Sequence, residues 1–127
     1  MAQTTLVMVD FQKSEKIVSA LEKDGIRIAV AMWTHFPEYE YWRLVLASKD
    51  LDKDSLGDAY LRLYRVLDAS GMTVLNTPQI HLMKTTDPFI RALRKVFRNA
   101  ESVEGMRLGG QRWGDRFVDD AYAYKIA

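Results

Sequence analysis

Two apolar runs separated by a short turn dominate the hydrophobic pattern of this chain. The runs cover residues 26–33 and 39–48, and the turn between them covers 35–38. In both runs apolar residues occupy both alternating positions, so neither run has a clean polar face. Strands that are apolar on both faces usually lie inside a sheet that is covered on both sides. The pattern therefore predicts two antiparallel neighbours near the middle of a sheet.

Three other segments repeat apolar residues at helical spacing, and each carries a start or stop signal. We expect helices over residues 14–24, 55–70 and 87–99. Gly25 closes the first helix, as a glycine after the last turn commonly does. Ser55 and Asp58 resemble a capping box at the start of the second helix. Asp87 followed by Pro88 indicates the start of the third helix.

The remaining pattern is weaker but completes an element order. We expect strands over residues 79–85 and 117–126, and two further strands are possible over 73–75 and 103–108. Residues 1–11 are interpreted as a frayed end or edge strand. Residues 48–54 are interpreted as a polar loop and 109–116 as an irregular glycine-rich loop. The order is α-β-β-α-β-α-β-β. It predicts a single α+β domain over residues 1–127, with three helices and a mostly antiparallel sheet of about five strands.

Composition narrows the functional classes more than it identifies one. The 127 residues are 48% hydrophobic and 28% charged, with a net charge of +1 and no cysteine. Disulfides, thiolate metal sites and cysteine nucleophiles are therefore excluded. No apolar run approaches the roughly 20 residues that span a bilayer, and the first residues lack a signal-peptide pattern. We expect a cytoplasmic protein that does not enter a membrane.

The near-neutral total hides a basic segment. Residues 84–116 contain eight Lys or Arg against four Asp or Glu. Within the third helix four cations share one stripe, and a loop with a tryptophan follows; the candidate binding residues are Arg91, Arg94, Lys95, Arg98, Arg112, Trp113 and Arg116. They could contact a phosphate backbone and stack a base. Alternatively the cations form a solvated helix face and Trp113 folds back onto the core.

No arrangement typical of catalysis or metal binding is visible. His35 and His81 are the only histidines, and their meeting in space cannot be inferred from the sequence. Asp119 and Asp120 adjoin in a strand and should point to opposite faces, so an inward carboxylate needs an arginine or backbone partner. Asp50 and its acidic neighbours lack the glycine and glutamate of a calcium loop. We predict no metal and no cofactor.

These observations favour a protein that acts by binding rather than by catalysis. The first hypothesis is a non-enzymatic cytoplasmic protein-interaction domain that binds a protein partner or forms a homodimer. Tyr122 and Tyr124 on the last strand are the expected dimer contact. The alternatives are weak nucleic-acid binding through the basic 91–116 surface, and a small hydrolase or nuclease that uses His35 and His81.

Overall fold

A four-stranded mixed sheet lies at the centre of the molecule, in a computed structural model that describes residues 8–72, 79–97, 99–100 and 102–127. The elements follow one another as α1 (Met8–Lys23), β1 (Val30–His35), β2 (Arg43–Ala47), α2 (Lys49–Asp52), α3 (Leu56–Ala69), β3 (Ile80–Leu82), α4 (Pro88–Phe97), β4 (Gln111–Trp113), β5 (Arg116–Val118) and β6 (Asp120–Ile126). The sheet order is β3-β2-β1-β6, and β4 and β5 form a separate hairpin. The predicted α+β class is confirmed.

Strand β1 occupies the middle of this sheet, and all six of its residues are buried. It pairs antiparallel with β2, where Trp33 lies opposite Leu44, and antiparallel with β6. The predicted central pair of strands is thus confirmed. Both strands are shorter than expected. Strand β1 starts later than expected because Ile26 and Ile28 lie before it, although both residues are buried. The apolar pattern continues past the residues that pair with neighbouring strands, so it predicts a longer strand than the structure contains.

One of the three strand pairings in the four-stranded sheet is parallel. Strand β3 pairs parallel with β2, with Leu44 opposite Ile80 and Leu46 opposite Leu82. A parallel neighbour requires a long crossover, and α2 and α3 provide it between β2 and β3. Two of the three pairings of this sheet are antiparallel, so the expectation of a mostly antiparallel sheet is confirmed, and the pairing of β3 with β2 is its one parallel pairing among the described residues.

Both faces of the sheet are covered, which explains the two-sided apolar pattern. One face packs against α1 and α3 and contains the buried residues Trp33, Leu44, Leu46, Leu63 and Leu67. The other face packs against α4 and contains Met32, Val45, Phe36, Phe89 and Leu93. Alternate residues of β1 and β2 therefore enter two separate hydrophobic cores.

Two helices differ from their predicted extent. Helix α1 begins at Met8 rather than at residue 14, in a segment expected to be frayed or extended. Helix α2 occupies the expected polar loop, where the Ser48 side chain caps it by accepting a hydrogen bond of 3.1 Å from the Asp50 amide. Four helices rather than three are therefore present in the described part of the chain.

The segment after α4 is also arranged differently. Residues 103–108 form no named strand; Arg107 makes an isolated bridge to Tyr122 beside β6. The expected loop 109–116 contains β4, and the expected strand 117–126 is divided at Asp119 into β5 and β6. Gly114 in the hairpin turn has a φ of +62°, and a Cβ there would lie 2.4 Å from the Pro88 carbonyl oxygen. Glycine therefore lets the hairpin pack against the first turn of α4.

Some predicted features lie outside the residues that the structure describes. The possible strand at 73–75, the break at 76–78 and Arg98 lie outside the described residues. Among the helices that are described, none is long and apolar enough to cross a membrane.

Candidate functional site

Helix α4 is strongly two-sided and places its cations away from the core. It buries Phe89, Ile90 and Leu93, which recur at helical spacing. The Asp87 carboxylate accepts a hydrogen bond of 2.9 Å from the Phe89 amide and so satisfies one free donor of the first turn. The start predicted at Asp87 and Pro88 is confirmed.

The outer face of α4 forms a basic surface together with a residue from another element. Arg91 and Lys95 are exposed and Arg94 is half-buried. With Lys49, the first residue of α2, they line an open concavity of about 450 Å³ whose other lining residue is Ala92. We call Lys49, Arg91, Arg94 and Lys95 the α4 basic surface. None of the described residues that line it carries a side-chain carboxylate.

These cations are nearly free of partners within the protein. Among the described residues, Lys49, Arg91 and Lys95 form no salt bridge and no side-chain hydrogen bond. Arg94 donates through Nε to the main-chain oxygen of Ala127 at 2.8 Å. An array of like charges without internal neutralisation repels itself, and an anion that binds there relieves the repulsion.

Trp113 belongs to the core beside α4 rather than to the basic surface. It is half-buried, and its ring centroid lies 5.7 Å from that of Phe97. Its Nε1 donates a hydrogen bond of 3.1 Å to the Leu108 carbonyl oxygen. Of the two alternatives for this tryptophan, the structure shows the one in which it folds back onto the core.

The two arginines of the β4–β5 hairpin are also separate from the concavity on α4. Arg112 is exposed and donates to the Asp115 carbonyl oxygen at 3.2 Å. Arg116 is half-buried, and its guanidinium carbon lies 5.2 Å from the ring centroid of Phe36. Of the seven candidate residues, the structure brings together Arg91, Arg94 and Lys95, and it adds Lys49, which the sequence did not indicate.

The two histidines lie on opposite faces of the sheet. The His35 ring packs against Trp42, on the side of α1 and α3, with ring centroids 5.8 Å apart. Its Nδ1 lies 3.3 Å from an Asp119 carboxylate oxygen, and its Nε2 lies 3.3 Å from the Glu40 carbonyl oxygen. The His81 ring instead packs against Phe36 within the core under α4. Because of this placement, the two histidines share no pocket in which a hydrolase or nuclease could use both of them.

The adjacent aspartates behave as their strand positions predict. Asp120 is buried, and both of its carboxylate oxygens accept from Arg107, at 3.0 and 2.6 Å. The Ala121 amide donates to the same carboxylate at 2.9 Å. Asp119 points away and is exposed. Across the described residues no group of His, Asp or Glu side chains is arranged to hold a metal ion.

Comparison with protein-family models, curated proteins and solved structures finds no match to this chain. The functional conclusion therefore depends on the geometry and charge of these side chains.

Proposed function

We propose that the protein binds the phosphate backbone of a nucleic acid through the α4 basic surface. The observation that supports this is the meeting of four cationic side chains in one open concavity, where the described lining residues include no aspartate or glutamate. Phosphate contacts by Lys and Arg supply most of the affinity in sequence-independent nucleic-acid binding. Such binding needs neither a deep pocket nor a catalytic group.

The shape and the charge distribution both agree with a weak, sequence-independent interaction. The net charge of the whole chain is only +1, so attraction comes from this local surface rather than from the molecule as a whole. Its long side chains lie on a helix face and not in an enclosed cavity. Base edges are read by elements that enter a groove, and the concavity offers only cations and an alanine.

The proposal also specifies which nucleic acid binds better. Binding of single strands depends on aromatic side chains that stack on unpaired bases. The described residues that line the α4 basic surface include no aromatic side chain, and Trp113 is engaged with Phe97 and Leu108. Duplex DNA carries a higher charge density, so we expect duplexes to bind at least as tightly as single strands of equal length.

Fluorescence anisotropy with labelled duplex and single-stranded oligonucleotides at low salt tests this proposal. The double variant Arg91→Glu with Lys95→Glu should reduce affinity at least tenfold for every sequence. The matched control reverses Lys13 and Lys16, two exposed cations of α1, and makes the same change of net charge. Equal losses in both variants, or no association of the wild type at high micromolar protein, would remove the proposal.

Protein interaction, with self-association as its simplest form, stays a second proposal. The exposed large apolar side chains are spread over several parts of the chain, with two of them on α3: Tyr41, Leu56, Leu61, Val96, Met106 and Phe117. The outer edge of β6 is occupied, because Leu108 and Ala121 share a backbone hydrogen bond of 2.9 Å there. The cytoplasm remains our proposed location, since a chain without cysteine needs no oxidising compartment.

A further inference from the structure

Two arginines stack on aromatic rings where β1 ends and β2 begins. The Arg43 guanidinium carbon lies 3.7 Å from the ring centroid of Tyr39. The Arg116 guanidinium carbon lies 5.2 Å from the ring centroid of Phe36. Stacking on a ring holds a guanidinium plane in place and leaves its edge free to donate hydrogen bonds.

The histidine on this face joins the same cluster. The rings of Phe36, Tyr39 and His81 form a triangle, with centroid separations of 5.9 Å between Phe36 and Tyr39, 5.8 Å between Phe36 and His81, and 6.1 Å between Tyr39 and His81. Arg43 and Arg116 each stack on one corner of the triangle. We call these five residues the ring cluster.

Two polar side-chain atoms of the ring cluster lack the partners that their burial requires. Arg43 is half-buried, and its Nε is shielded from solvent without a hydrogen-bond partner. The Nδ1 of His81 is in the same condition. Within the described residues neither Arg43 nor Arg116 forms a salt bridge. Buried polar atoms are nearly always paired, so these two unpaired atoms on neighbouring side chains call for an explanation.

The local electrostatic field favours an anion. Burial lowers the pKa of His81, and the positive charges of Arg116 and Arg43 lower it further. Asp87 and Glu38 act in the opposite direction with smaller effects. The Asp87 carboxylate is also committed to the first turn of α4. The charge that acts on His81 is therefore net positive even with both carboxylates in place.

We propose that the ring cluster binds a single oxyanion, the carboxylate or phosphate group of a small ligand, between Arg43 and Arg116. Guanidinium groups pair with such oxygens through two parallel hydrogen bonds, and stacking on Tyr39 and Phe36 pre-organises them for it. This ligand differs from the extended backbone proposed for the α4 basic surface, because the ring cluster offers two ring-stacked guanidinium groups rather than a row of cations along a helix face.

The two histidines supply an NMR test with an internal control. The chain has only His35 and His81, and they lie on opposite faces of the sheet. Inorganic phosphate and acetate are titrated separately at constant ionic strength, with chloride as the balancing salt. The imidazole signals of His81 should move saturably, and its titration midpoint should rise because a bound anion stabilises the imidazolium. The signals of His35 should stay in place and also report that the fold is intact.

Variants assign the response to the ring cluster. Arg43→Gln and Arg116→Gln should each weaken binding at least tenfold, whereas Arg65→Gln, which removes an exposed cation of α3, should not. A response to phosphate alone or acetate alone identifies the ligand group. A response to neither, or equal responses in wild type and both ring-cluster variants, would overturn the proposal. Reversal of Arg91 and Lys95 should leave the His81 response unchanged, so this site and the α4 basic surface can fail independently.

Discussion

The hydroxyl of Tyr60 covers the outer edge of β3 by accepting a hydrogen bond of 2.9 Å from the Leu82 amide. The same hydroxyl donates to the Ile80 carbonyl oxygen at 3.4 Å. One side chain of α3 thereby satisfies the donor and the acceptor that an edge strand would otherwise offer to another chain. Exposed strand edges are templates for pairing between molecules, so this contact protects the sheet.

Tyr60→Phe should therefore destabilise the protein and also expose a strand edge. Loss of the hydroxyl leaves the Leu82 amide without its partner, and we expect the free energy of unfolding to fall by about 1–3 kcal/mol. Urea denaturation measures this loss, and light scattering should show increased self-association. Tyr64→Phe is the matched control, because Tyr64 stacks on Tyr60 at 6.3 Å without bonding to β3. Equal effects of both substitutions would show that the edge contact contributes nothing.

Leu44→Ala should cost about 2–5 kcal/mol, through lost contacts and a residual cavity. Leu44 is fully buried opposite Trp33 in the central pair of strands. Leu61→Ala serves as the control, since Leu61 on α3 is 64% exposed and its truncation should change stability by less than about 0.5 kcal/mol. Chemical denaturation of both variants makes the comparison, and a small loss at Leu44 would contradict the packing of this core.

Trp113→Leu should affect stability and leave nucleic-acid binding unchanged. The substitution removes the ring contact with Phe97 and the hydrogen bond to Leu108, which together should cost about 1–2 kcal/mol. Anisotropy with single-stranded oligonucleotides should show an affinity within about twofold of wild type. If Trp113 stacked on a base, the free energy of single-strand binding would instead weaken by about 1–3 kcal/mol, while duplex binding would persist.

The ion pair of Arg27 and Asp50 predicts a defined acid sensitivity. Arg27 donates from its backbone amide at 2.9 Å and from its side chain at 3.2 Å, and these bonds lower the pKa of Asp50 from 3.8 to about 2. As the pH falls, Asp50 therefore takes up a proton at a higher pH in the unfolded chain than in the folded chain. The stability from this pair is complete above about pH 4 and is lost as the pH falls towards about 2.

Urea midpoints measured between pH 2 and pH 5 check this prediction. Asp50→Asn and Arg27→Gln each remove the pair, so both variants should show a shallower loss of stability than wild type in this window. A wild-type slope retained in both variants would place the acid sensitivity elsewhere in the molecule.

The central sheet could be predicted because its signal is local and strong. The run that contains β1 is apolar at both alternating positions, as a strand covered on both faces requires. Strand β3 could not be assigned a direction, because only three residues pair and the choice of partner depends on the crossover through α3. Helix α2 was missed because one cap by Ser48 and one buried residue, Leu51, sustain it.

The candidate site shows the same division between local and long-range information. The cationic stripe of Arg91, Arg94 and Lys95 follows from spacing along one helix. Lys49 joins them only because the chain after β2 brings the start of α2 next to α4, which no local pattern indicates. The ring cluster likewise combines the turn between β1 and β2 with β2, β3 and β5, so a sequence offers only its aromatic residues as a signal.

Lys49 therefore offers the sharpest test of the α4 basic surface. If each of its four cations neutralises one phosphate of a duplex, the logarithm of the binding constant should fall against the logarithm of salt concentration with a slope of about −3.6. Lys49→Gln should reduce the size of that slope by about 0.9 and weaken binding equally for all sequences. Lys53→Gln removes an exposed cation at the end of the same helix and outside the concavity, so its slope should match wild type. An unchanged slope in Lys49→Gln would mean that phosphates do not contact Lys49, and the α4 basic surface would then be confined to the helix itself.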